Sequence, residues 1–388
     1  MPPSFGQGVL SKMKSSLLRL IIAILALAAP AIAEQTEFSS AGLENRVDFW
    51  KKVYTHYGED DIIIHDRVRV NLIYDVATES DQASKFSAVE RALDEVRNNL
   101  ETPEALSPAA RLILDAVVAY GLPVTASVMQ ELSDNVHTQR GIKERFRQGI
   151  IRSGRYIDSF QQIFAKQGLP QELALLPLVE SSFENRSLSK AGAVGIWQFT
   201  RGTGRSYLRV TRKVDDRLDP VKSTQAAARL LHDNYKALGS WPLAVTAYNH
   251  GRGGMLRAQS EVGSELTSII NDYRGALFGY ASMNFYSEFL AAVEVYQNYE
   301  QYFGQLALDN PSERPAVSRA STATASISAA PKGKVQTAKA SPADKYRVRK
   351  GDTLWEIAQR FGTSIRELME RNNLQNSAIH AGQILLVR

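Results

Sequence analysis

The segment Gln171-Glu-Leu-Ala-Leu-Leu-Pro-Leu-Val-Glu-Ser-Ser-Phe183 is apolar on almost every side of a helix. Three leucines and one glutamate share a single helical stripe, with the spacing i, i+4, i+7 and i+11: Leu169, Leu173, Leu176 and Glu180. A carboxylate on such a stripe costs free energy unless it is paired, protonated or used. The segment alone leaves two interpretations open, a solvated surface glutamate and a buried functional carboxyl group.

Length and charge limit the class of protein. A chain of 388 residues is too long for one simple core and predicts two or three domains. The formal net charge is +5, but Lys12, Lys14 and Arg19 supply three of those charges, which leaves +2 after residue 33. This balance gives no basis for nucleic-acid binding.

The first 33 residues are typical of a secretory signal peptide. Basic residues up to Arg19 precede the apolar run 20–29, and Ala31-Ile32-Ala33 offers a cleavage site. The run is shorter than the ~20 residues that a spanning helix needs, so no transmembrane segment is expected after signal removal. A start at Met13 would give a more compact signal of the same kind, and both starts remain open.

Cysteine is absent from the sequence. Its absence excludes disulfides, thiolate metal sites, a thiol nucleophile and an acylated N-terminal cysteine anchor. We therefore expect a periplasmic protein that is not lipid-anchored and is stabilised by its core alone. We expect a monomer, with no cofactor and no metal.

Residues 34–150 are predicted to be a supporting helical region without recognisable chemistry. Ser87–Asn99 has the apolar spacing of a helix, and Ser107-Pro108 begins another with the serine as N-cap and the proline at the first helical position. Arg140–Phe164 is predicted to be one basic amphipathic helix. Its arginines either contact an anionic polymer or form a solvated face.

Residues 151–306 are predicted to form a second helical domain. Asp219-Pro220 caps a predicted helix over 220–237, Trp241-Pro242 begins a shorter one, and a last helix is predicted over 285–302. The first two of these starts place a short polar side chain or a proline at the position where a helix has free amide groups. The domain is therefore expected to be almost entirely α-helical.

The remaining chain divides into a linker and a small module. Ser, Ala, Thr, Pro and Lys dominate the stretch assigned to 307–343, which is typical of a disordered linker. Residues 344–388 form a separate unit with the predicted order β-α-α-β. Its first strand is Tyr346–Val348 and its closing strand is Gln383–Val387.

Four motifs in one order, within about a third of the chain, resemble family 1 soluble and membrane-bound lytic transglycosylases. The motifs are Glu180-Ser181, Ser189…Ala191-Gly-Ala-Val-Gly-Ile-Trp-Gln-Phe199, Thr203-Gly204 and Ala247-Tyr-Asn249. The resemblance implies a mainly α chain with a lysozyme-like helical catalytic domain. It also implies cleavage of peptidoglycan between N-acetylmuramic acid and N-acetylglucosamine.

The resemblance implies that Glu180 is the single catalytic acid and base. It would protonate the glycosidic oxygen and then take a proton from the muramyl C6 hydroxyl, which attacks C1 and leaves a 1,6-anhydro end. Burial against leucines would raise the pKa of this carboxyl toward neutral pH. No other acid lies in the matched motifs, and a tethered hydroxyl nucleophile removes the need for the second carboxylate of an ordinary glycosidase.

Motif position also assigns supporting roles. Ser189 is expected to hydrogen-bond near Glu180 or the substrate, and Gln198 is expected to contact a sugar. Tyr248 is expected to orient Glu180 or to stabilise developing positive charge, with Asn249 supporting it. For the serine and the asparagine, turn formation or helix capping remains an open alternative.

Three further expectations concern the walls of the cleft. Trp197 and Phe199 are candidates for a surface that stacks on a sugar ring, with core packing as the alternative. Asn284-Phe285 is a candidate for the cleft lining. The chain has Thr200-Arg201 where many relatives have Met-Pro, so subsite details at that position do not carry over.

The C-terminal module resembles the LysM module, which binds glycans that contain N-acetylglucosamine. The resemblance lies in Tyr346-Arg-Val-Arg-Lys-Gly-Asp-Thr-Leu-Trp-Glu-Ile-Ala358 and Ala381-Gly-Gln-Ile-Leu-Leu386. The positions that match its glycan-binding loops are Gly351, Asp352, Thr353, Leu354, Ala378 and Ile379. Capping of the first helix is the alternative role for the aspartate and the threonine.

Both resemblances imply that the binding partner is the glycan strands of peptidoglycan. Three alternatives remain open: a hydrolytic muramidase of goose-lysozyme type, a non-catalytic peptidoglycan-binding protein and a chitin-degrading enzyme. Exo or endo cleavage, dependence on peptide stems and regulatory partners are left open by the sequence.

Overall fold

The structure is a computed structural model that describes residues 38–311 and 345–349 without gaps. Further along the chain it describes separate positions: 354, 357, 361, 368, 369, 371, 372, 374, 379, 380 and 382–387. The predicted signal peptide and most of the predicted linker lie outside the described residues.

Helices dominate the described chain, as predicted. The N-terminal region contains α1 (Glu44–Thr55), β1 (Ile62–Asp66), β2 (Ile73–Ala77), α2 (Gln82–Asn98), α3 (Pro108–Ala119), α4 (Ala126–Asp134) and β3 (Val136–Arg140). The following region contains α5 (Lys143–Ser153), α6 (Ile157–Lys166), α7 (Leu176–Glu180), α8 (Arg201–Tyr207), α9 (Pro220–Leu238), α10 (Trp241–His250), α11 (Arg252–Val262), α12 (Leu266–Asp272), α13 (Tyr280–Gln297) and α14 (Tyr299–Phe303). The prediction of a mainly α chain is confirmed.

The N-terminal region contains an antiparallel sheet that the sequence analysis missed. Its strand order is β2-β1-β3, and Ile63 of the central strand pairs with Val76 on one side and Gln139 on the other. The central strand is buried along its whole length, so its side chains do not alternate between apolar and polar. A short apolar run of this kind cannot be distinguished from a helix segment by periodicity. The predicted helical region 34–150 therefore also contains a three-stranded sheet, within a chain that is mainly α.

Helices α2, α3 and α4 form a core with this sheet. Leu93 of α2, Val117 of α3 and Leu132 of α4 lie in one buried cluster with Ile64 of β1. The predicted start of α3 is confirmed, because the Ser107 hydroxyl accepts a hydrogen bond from the amide of Ala110 at 3.2 Å.

The predicted helix over 140–164 is broken. Residues from the start of the predicted linker pack at this break. Gly154 separates α5 from α6, and a Cβ at this position would lie 2.6 Å from the Cβ of Leu308. The amide of Asp309 donates to the carbonyl of Ile151 at 2.9 Å, and Arg155 donates to the Asp309 carboxylate at 2.8 Å. Residues 308 and 309, which the sequence analysis assigned to the linker, therefore pack against the end of α5 and the turn after it.

Helix α13 joins the N-terminal region to the region that carries Glu180. The buried guanidinium of Arg46 on α1 donates to Asn284 Oδ1 at 2.8 Å and to the carbonyl of Val68 at 2.6 Å. Four residues further along α13, the hydroxyl of Tyr54 donates to the carbonyl of Glu288 at 3.3 Å. Helices α7 and α10 pack against the same helix. Helix α13 therefore contacts the N-terminal region as well as the region that carries Glu180.

The C-terminal module closes with the two predicted strands, β4 (Lys345–Arg347) and β5 (Ile384–Leu386), which pair antiparallel. Tyr346 lies opposite Leu385, and both Val348 and Leu385 belong to a small buried cluster. Most of the two predicted helices between the strands lie outside the described residues. Across the described positions of both regions and the module, no helix combines the length and the apolar character needed to cross a lipid bilayer.

Candidate active site

Glu180 is the last residue of α7, at the end of the apolar segment. Residues Gln171–Leu175 form a 3-10 helix, and α7 continues from it with Pro177 in its first turn. The side chains of Leu173 and Leu176 are completely buried, as the stripe predicts, whereas Glu180 retains part of its surface. The apolar segment therefore holds the backbone of a glutamate that is itself partly exposed.

Strained backbone lies next to this carboxyl group. Of the residues that the structure describes, only three non-glycine residues have positive φ: Ser182 (50°), Phe183 (56°) and Gln198 (47°). Side chains other than glycine pay a free-energy cost for this conformation, and such residues concentrate at functional sites. Two of them directly follow the Glu180-Ser181 motif, and the third lies in the glycine-rich motif, residues 189–199.

Hydrogen bonds hold these two segments together. The hydroxyl of Ser181, which is buried, donates to the carbonyl of Ile196 at 2.7 Å. On the other side of the turn, Gly149 approaches so closely that a Cβ there would lie 2.9 Å from the Cβ of Ser182. The end of α7 is therefore fixed against both α5 and the glycine-rich motif.

Burial raises the pKa of Glu180 to about 8. No ion pair to this carboxyl group is present among the described side chains. Without a cation nearby, desolvation favours the neutral form, so the group carries a proton at neutral pH. It can therefore donate a proton to a bound substrate.

Glu288 on α13 is a second carboxyl group in the same environment. Burial, and then the charge of Glu180, raise its pKa to about 8. The two groups therefore interact through space, and two neighbouring carboxyl groups resist ionising together. The sequence analysis missed this residue and expected no second acid, because Glu288 lies outside the matched motifs. The available signal was an acid embedded in the mostly apolar stretch Phe285–Val293, the same signal that Glu180 gives.

Tyr248, near the end of α10, interacts electrostatically with Glu180. Burial, followed by the charge of Glu180, raises the pKa of its phenol. The hydroxyl donates to the carbonyl of Trp197 at 2.8 Å, and the ring stacks on Phe285 with centroids 6.4 Å apart and planes inclined by 4°. Tyr248 therefore connects α10, α13 and the glycine-rich motif around the carboxyl group.

The other predicted supporting residues have structural partners. Gln198 Nε2 donates to the carbonyl of Gly195 at 2.8 Å, which fixes the amide and leaves its oxygen to accept from a ligand. The Ser189 hydroxyl accepts from the amide of Ala193 at 2.9 Å, which is the turn-forming role left open above. Asn249 Oδ1 accepts from the Ser282 hydroxyl at 2.9 Å. No described hydrogen bond joins the serine or the asparagine to the carboxyl group.

Two expectations about the cleft walls are corrected, and Thr200 has a capping role. Trp197 and Phe199 are buried, and the indole nitrogen of Trp197 donates to Thr224 Oγ1 at 2.8 Å, so these rings pack in the core and offer no stacking surface. Asn284 is fully buried against Arg46 and does not line the cleft. Thr200, in place of methionine, caps α8 by accepting from the amide of Thr203 at 3.2 Å.

The predicted glycan-binding positions of the C-terminal module are only partly described. Leu354 is 2% exposed and belongs to the module's core, so its side chain does not form a groove surface. Ile379 packs against the same core and is half-buried. Gly351, Asp352, Thr353 and Ala378 lie outside the described residues, and their roles stay predictions.

Comparison with protein families identifies two domains. The family described as "Transglycosylase SLT domain" matches residues 159–271, and the family described as "LysM domain" matches residues 346–388. The first match contains Glu180, Gln198 and Tyr248 and ends before α13.

Individual relatives agree with these matches. The membrane-bound lytic murein transglycosylase D of Escherichia coli (strain K12) is 29% identical over 276 residues, which is 57% of this chain and 61% of the relative. The membrane-bound lytic murein transglycosylase F 2 of Alkalilimnicola ehrlichii is 32% identical over 31% of this chain and 27% of its own length. The chain thus spans about three-fifths of the first relative.

A solved structure, that of an inactive mutant of the lytic transglycosylase Slt from Pseudomonas aeruginosa, is similar at 17% identity and a TM-score of 0.31, over 40% of this chain and 25% of that one. The two family matches give the order of the domains along this chain. The chain therefore carries a transglycosylase SLT domain followed by a C-terminal LysM domain, and it is homologous to membrane-bound lytic murein transglycosylase D.

Proposed function

We propose that this protein is a peptidoglycan lytic transglycosylase that uses Glu180 as both acid and base. The observation that carries the proposal is a carboxyl group with a pKa of about 8 at the end of α7, inside the transglycosylase SLT match. A general acid works best when its pKa lies near the operating pH, and such catalysis typically contributes about 10²–10⁴-fold in rate. The names of two relatives, both membrane-bound lytic murein transglycosylases, point the same way.

In the proposed reaction, neutral Glu180 donates its proton to the β-1,4 glycosidic oxygen between N-acetylmuramic acid and N-acetylglucosamine. The bond from muramyl C1 to that oxygen breaks, and the glucosamine end leaves with the proton. Ionised Glu180 then accepts the proton of the muramyl C6 hydroxyl while that oxygen bonds to C1. The product is a 1,6-anhydro end, no water is consumed, and the enzyme recovers its original protonation state.

Tyr248 and Gln198 would position the reacting groups. The Tyr248 hydroxyl is oriented by its bond to the carbonyl of Trp197, so its oxygen can face the reaction without rotating freely. The Gln198 amide is likewise held by the carbonyl of Gly195, which leaves its oxygen for a sugar hydroxyl or N-acetyl amide. Prior orientation of this kind reduces the entropy lost when the substrate binds.

Glu288 favours a second candidate function, hydrolysis. An inverting glycosidase uses one carboxylic acid and one carboxylate that activates water, and a retaining one uses the second carboxylate as nucleophile. Glu288 interacts electrostatically with Glu180 and would supply such a group once it ionises. In the transglycosylase reaction its role would be different, because two neighbouring carboxyl groups resist ionising together and Glu288 would therefore help to keep the proton on Glu180.

We propose that residues 1–33 direct the protein to the periplasm, where its substrate lies. Residues from about 310 to 343 would tether the LysM domain to the catalytic region, which extends from the N-terminal region to about residue 309. A flexible tether raises the effective concentration of the enzyme at the wall without fixing its orientation. Glycan strands would then be held by the LysM domain and cleaved by the transglycosylase SLT domain.

Mass spectrometry of muropeptides tests the proposal. Purified peptidoglycan is digested with the protein, and the products are weighed. We expect muramyl ends that are lighter by one water than hydrolytic products. Reducing muramyl ends would establish the hydrolytic candidate instead, and intact strands would leave only glycan binding.

A further inference from the structure

A basic groove lies on the surface of the region that carries Glu180, between the end of α8 and the first half of α9. Its volume is about 480 Å³, within the roughly 300–1,000 Å³ typical of ligand pockets. The residues that define its character are Arg205, Tyr207, Arg209, Asp216, Lys222 and Arg229. None of the motifs described above includes these residues.

Positive charge in the groove exceeds the negative charge. Asp216 is the one acid in the lining, and it is already engaged by Lys222 Nζ at 2.8 Å and by Arg209 Nε at 3.6 Å. Arg205 and Arg229 form no ion pair with any carboxylate of the described chain. Two guanidinium groups are therefore left to bind an anion from outside.

One of these guanidinium groups is held in place. Arg229 Nη2 donates to the carbonyl of Tyr207 at 2.8 Å, which spans the groove from α9 to the end of α8. The Tyr207 hydroxyl in turn donates to Asp233 Oδ2 at 2.9 Å. The rim of the groove is therefore organised before a ligand arrives, which reduces the entropic cost of binding.

The groove is rigidly joined to the loop that carries Gln198. Helix α8 begins three residues after Gln198, and a Cβ on its Gly204 would lie 2.8 Å from Arg217 Cδ. The buried guanidinium of Arg217 donates to the carbonyl of Phe199 at 3.0 Å and to that of Gly192 at 3.2 Å. The groove and the sugar-contacting loop therefore form one unit.

We propose that the basic groove binds the carboxylates of the peptide stems that peptidoglycan carries on its muramyl residues. This inference rests on the proposed function and extends it to the non-sugar part of the substrate. Guanidinium groups bind carboxylates bidentately, with charge-assisted hydrogen bonds. A concave groove with a fixed arginine suits a short carboxylate-bearing peptide better than the flat surface of an anionic membrane.

The test compares two substrates with one variant, Arg205→Gln/Arg229→Gln. The first substrate is peptidoglycan with its stems, and the second is the same material after an amidase has removed them. We expect the KM for stem-bearing strands to rise about three- to tenfold, because each exposed ion pair contributes little. We expect kcat to stay within about twofold, since both arginines lie outside the machinery that moves protons. Cleavage of stem-free strands should not change.

Arg91→Gln/Arg111→Gln is the matched control. Arg91 is exposed and has no described partner, like Arg205, and Arg111 donates to the carbonyl of Pro103 at 2.6 Å, as Arg229 does to Tyr207. This control should leave both substrates unaffected. Added salt should raise the KM of the wild-type protein for stem-bearing strands and should affect stem-free strands less.

Two kinetic results would overturn the proposal. One is a variant that matches the wild type on stem-bearing strands, and the other is an equal loss on both substrates. If the wild type cleaves neither substrate, the proposed function fails, but titration calorimetry with free stem peptides still tests whether the groove binds them. Weaker binding of stem peptides by the variant supports the groove's proposed role, whereas unchanged binding refutes that role. Loss of binding to anionic lipid vesicles with stem-peptide binding retained would assign the groove to a membrane.

Discussion

Two buried clusters of ionisable side chains respond to the same burial in opposite ways. In the N-terminal region, the ring of His65 lies between the carbonyl of Asp66, 2.9 Å from Nδ1, and the hydroxyl of Tyr280, 3.3 Å from Nε2. Burial lowers the pKa of His65 to about 3 and that of His137 to about 4. Around α7, burial raises the pKa values of Glu180 and Glu288 to about 8.

The difference shows that a perturbed pKa does not by itself mark a catalytic group. His65 is fully buried, is hydrogen-bonded on both ring nitrogens and cannot meet a substrate. Glu180 keeps part of its surface and a transferable proton at neutral pH. Partial exposure, together with protonation near neutral pH, distinguishes the carboxyl cluster that we propose to be catalytic from the histidine cluster.

The two clusters also give opposite dependences of stability on pH. A histidine with a lowered pKa favours the folded state above its unfolded value near 6.5, and that stability is lost as the pH falls toward about 3. A carboxyl group with a raised pKa favours the folded state below its unfolded value near 4.5, and that stability is lost as the pH rises toward about 8. The N-terminal cluster limits acid stability, and the carboxyl pair limits alkaline stability.

The largest expected effect comes from Glu180→Gln. Removal of the transferable proton should lower the rate of glycan cleavage by about 10²–10⁴-fold, measured as released muropeptides. The same variant should be roughly 1–3 kcal/mol more stable than the wild type at pH 8 and equally stable near pH 4, because glutamine cannot ionise. Glu172→Gln, in the same segment, is the control and should change neither quantity. Cleavage that survives in Glu180→Gln would remove this residue from the mechanism.

The next largest effect is expected from Arg46→Met, which removes the buried guanidinium between the two regions. Asn284 Oδ1 and the carbonyl of Val68 would then lack their donor, and the free energy of unfolding should fall by roughly 2–4 kcal/mol. Urea unfolding measures the change, with the exposed Arg91→Met as control. A loss no greater than that of the control would show that the two regions do not depend on this contact.

Glu288→Gln should have a moderate effect that is visible mainly in pH dependence. Removing one member of an interacting carboxyl pair lets the remaining group ionise more easily, so the alkaline limb of the activity profile should move down by about one pH unit. Activity at pH 8 should fall by about fivefold while activity near pH 6 changes less. Glu300→Gln, on the exposed face of α14, serves as control. An unshifted limb would mean that Glu288 does not influence the catalytic proton.

The smallest expected effect is that of His65→Phe on acid stability. Phenylalanine preserves the contact with Phe49, whose ring centroid lies 4.6 Å from that of His65, but cannot take up a proton in the unfolded state. The loss of unfolding free energy between pH 6 and pH 5 should shrink by roughly 1 kcal/mol relative to the wild type. Thermal unfolding across that range measures it. An unchanged slope would assign the acid sensitivity to other groups.

Local patterns predicted the elements that local forces determine. Asp219 caps α9 by accepting from the amides of Val221 and Lys222, and Gly239 ends the helix with a φ of 79°, as the sequence indicates. Glu180 was found because an acid on a leucine stripe coincided with a motif. Such features need no information from distant parts of the chain.

The features that were missed depend on contacts between distant segments. The break at Gly154 arises because Leu308 packs there, and nothing near residue 154 indicates that partner. The burial of Asn284 depends on Arg46, which lies 238 residues away. Glu288 acquires its role only when α13 packs against α7. Composition and periodicity cannot reveal a residue whose importance arises from tertiary packing.

The position of α13 sets the smallest fragment that could be transplanted or engineered. A piece cut to residues 159–271 would retain Glu180, Gln198 and Tyr248 but would end nine residues before α13 begins. It would lack Glu288, the Phe285 ring under Tyr248, and the helix face that Arg46 and Tyr54 contact. Designers who exchange this catalytic unit between proteins should therefore move residues 40–309 together, because the N-terminal region supports one wall of the site.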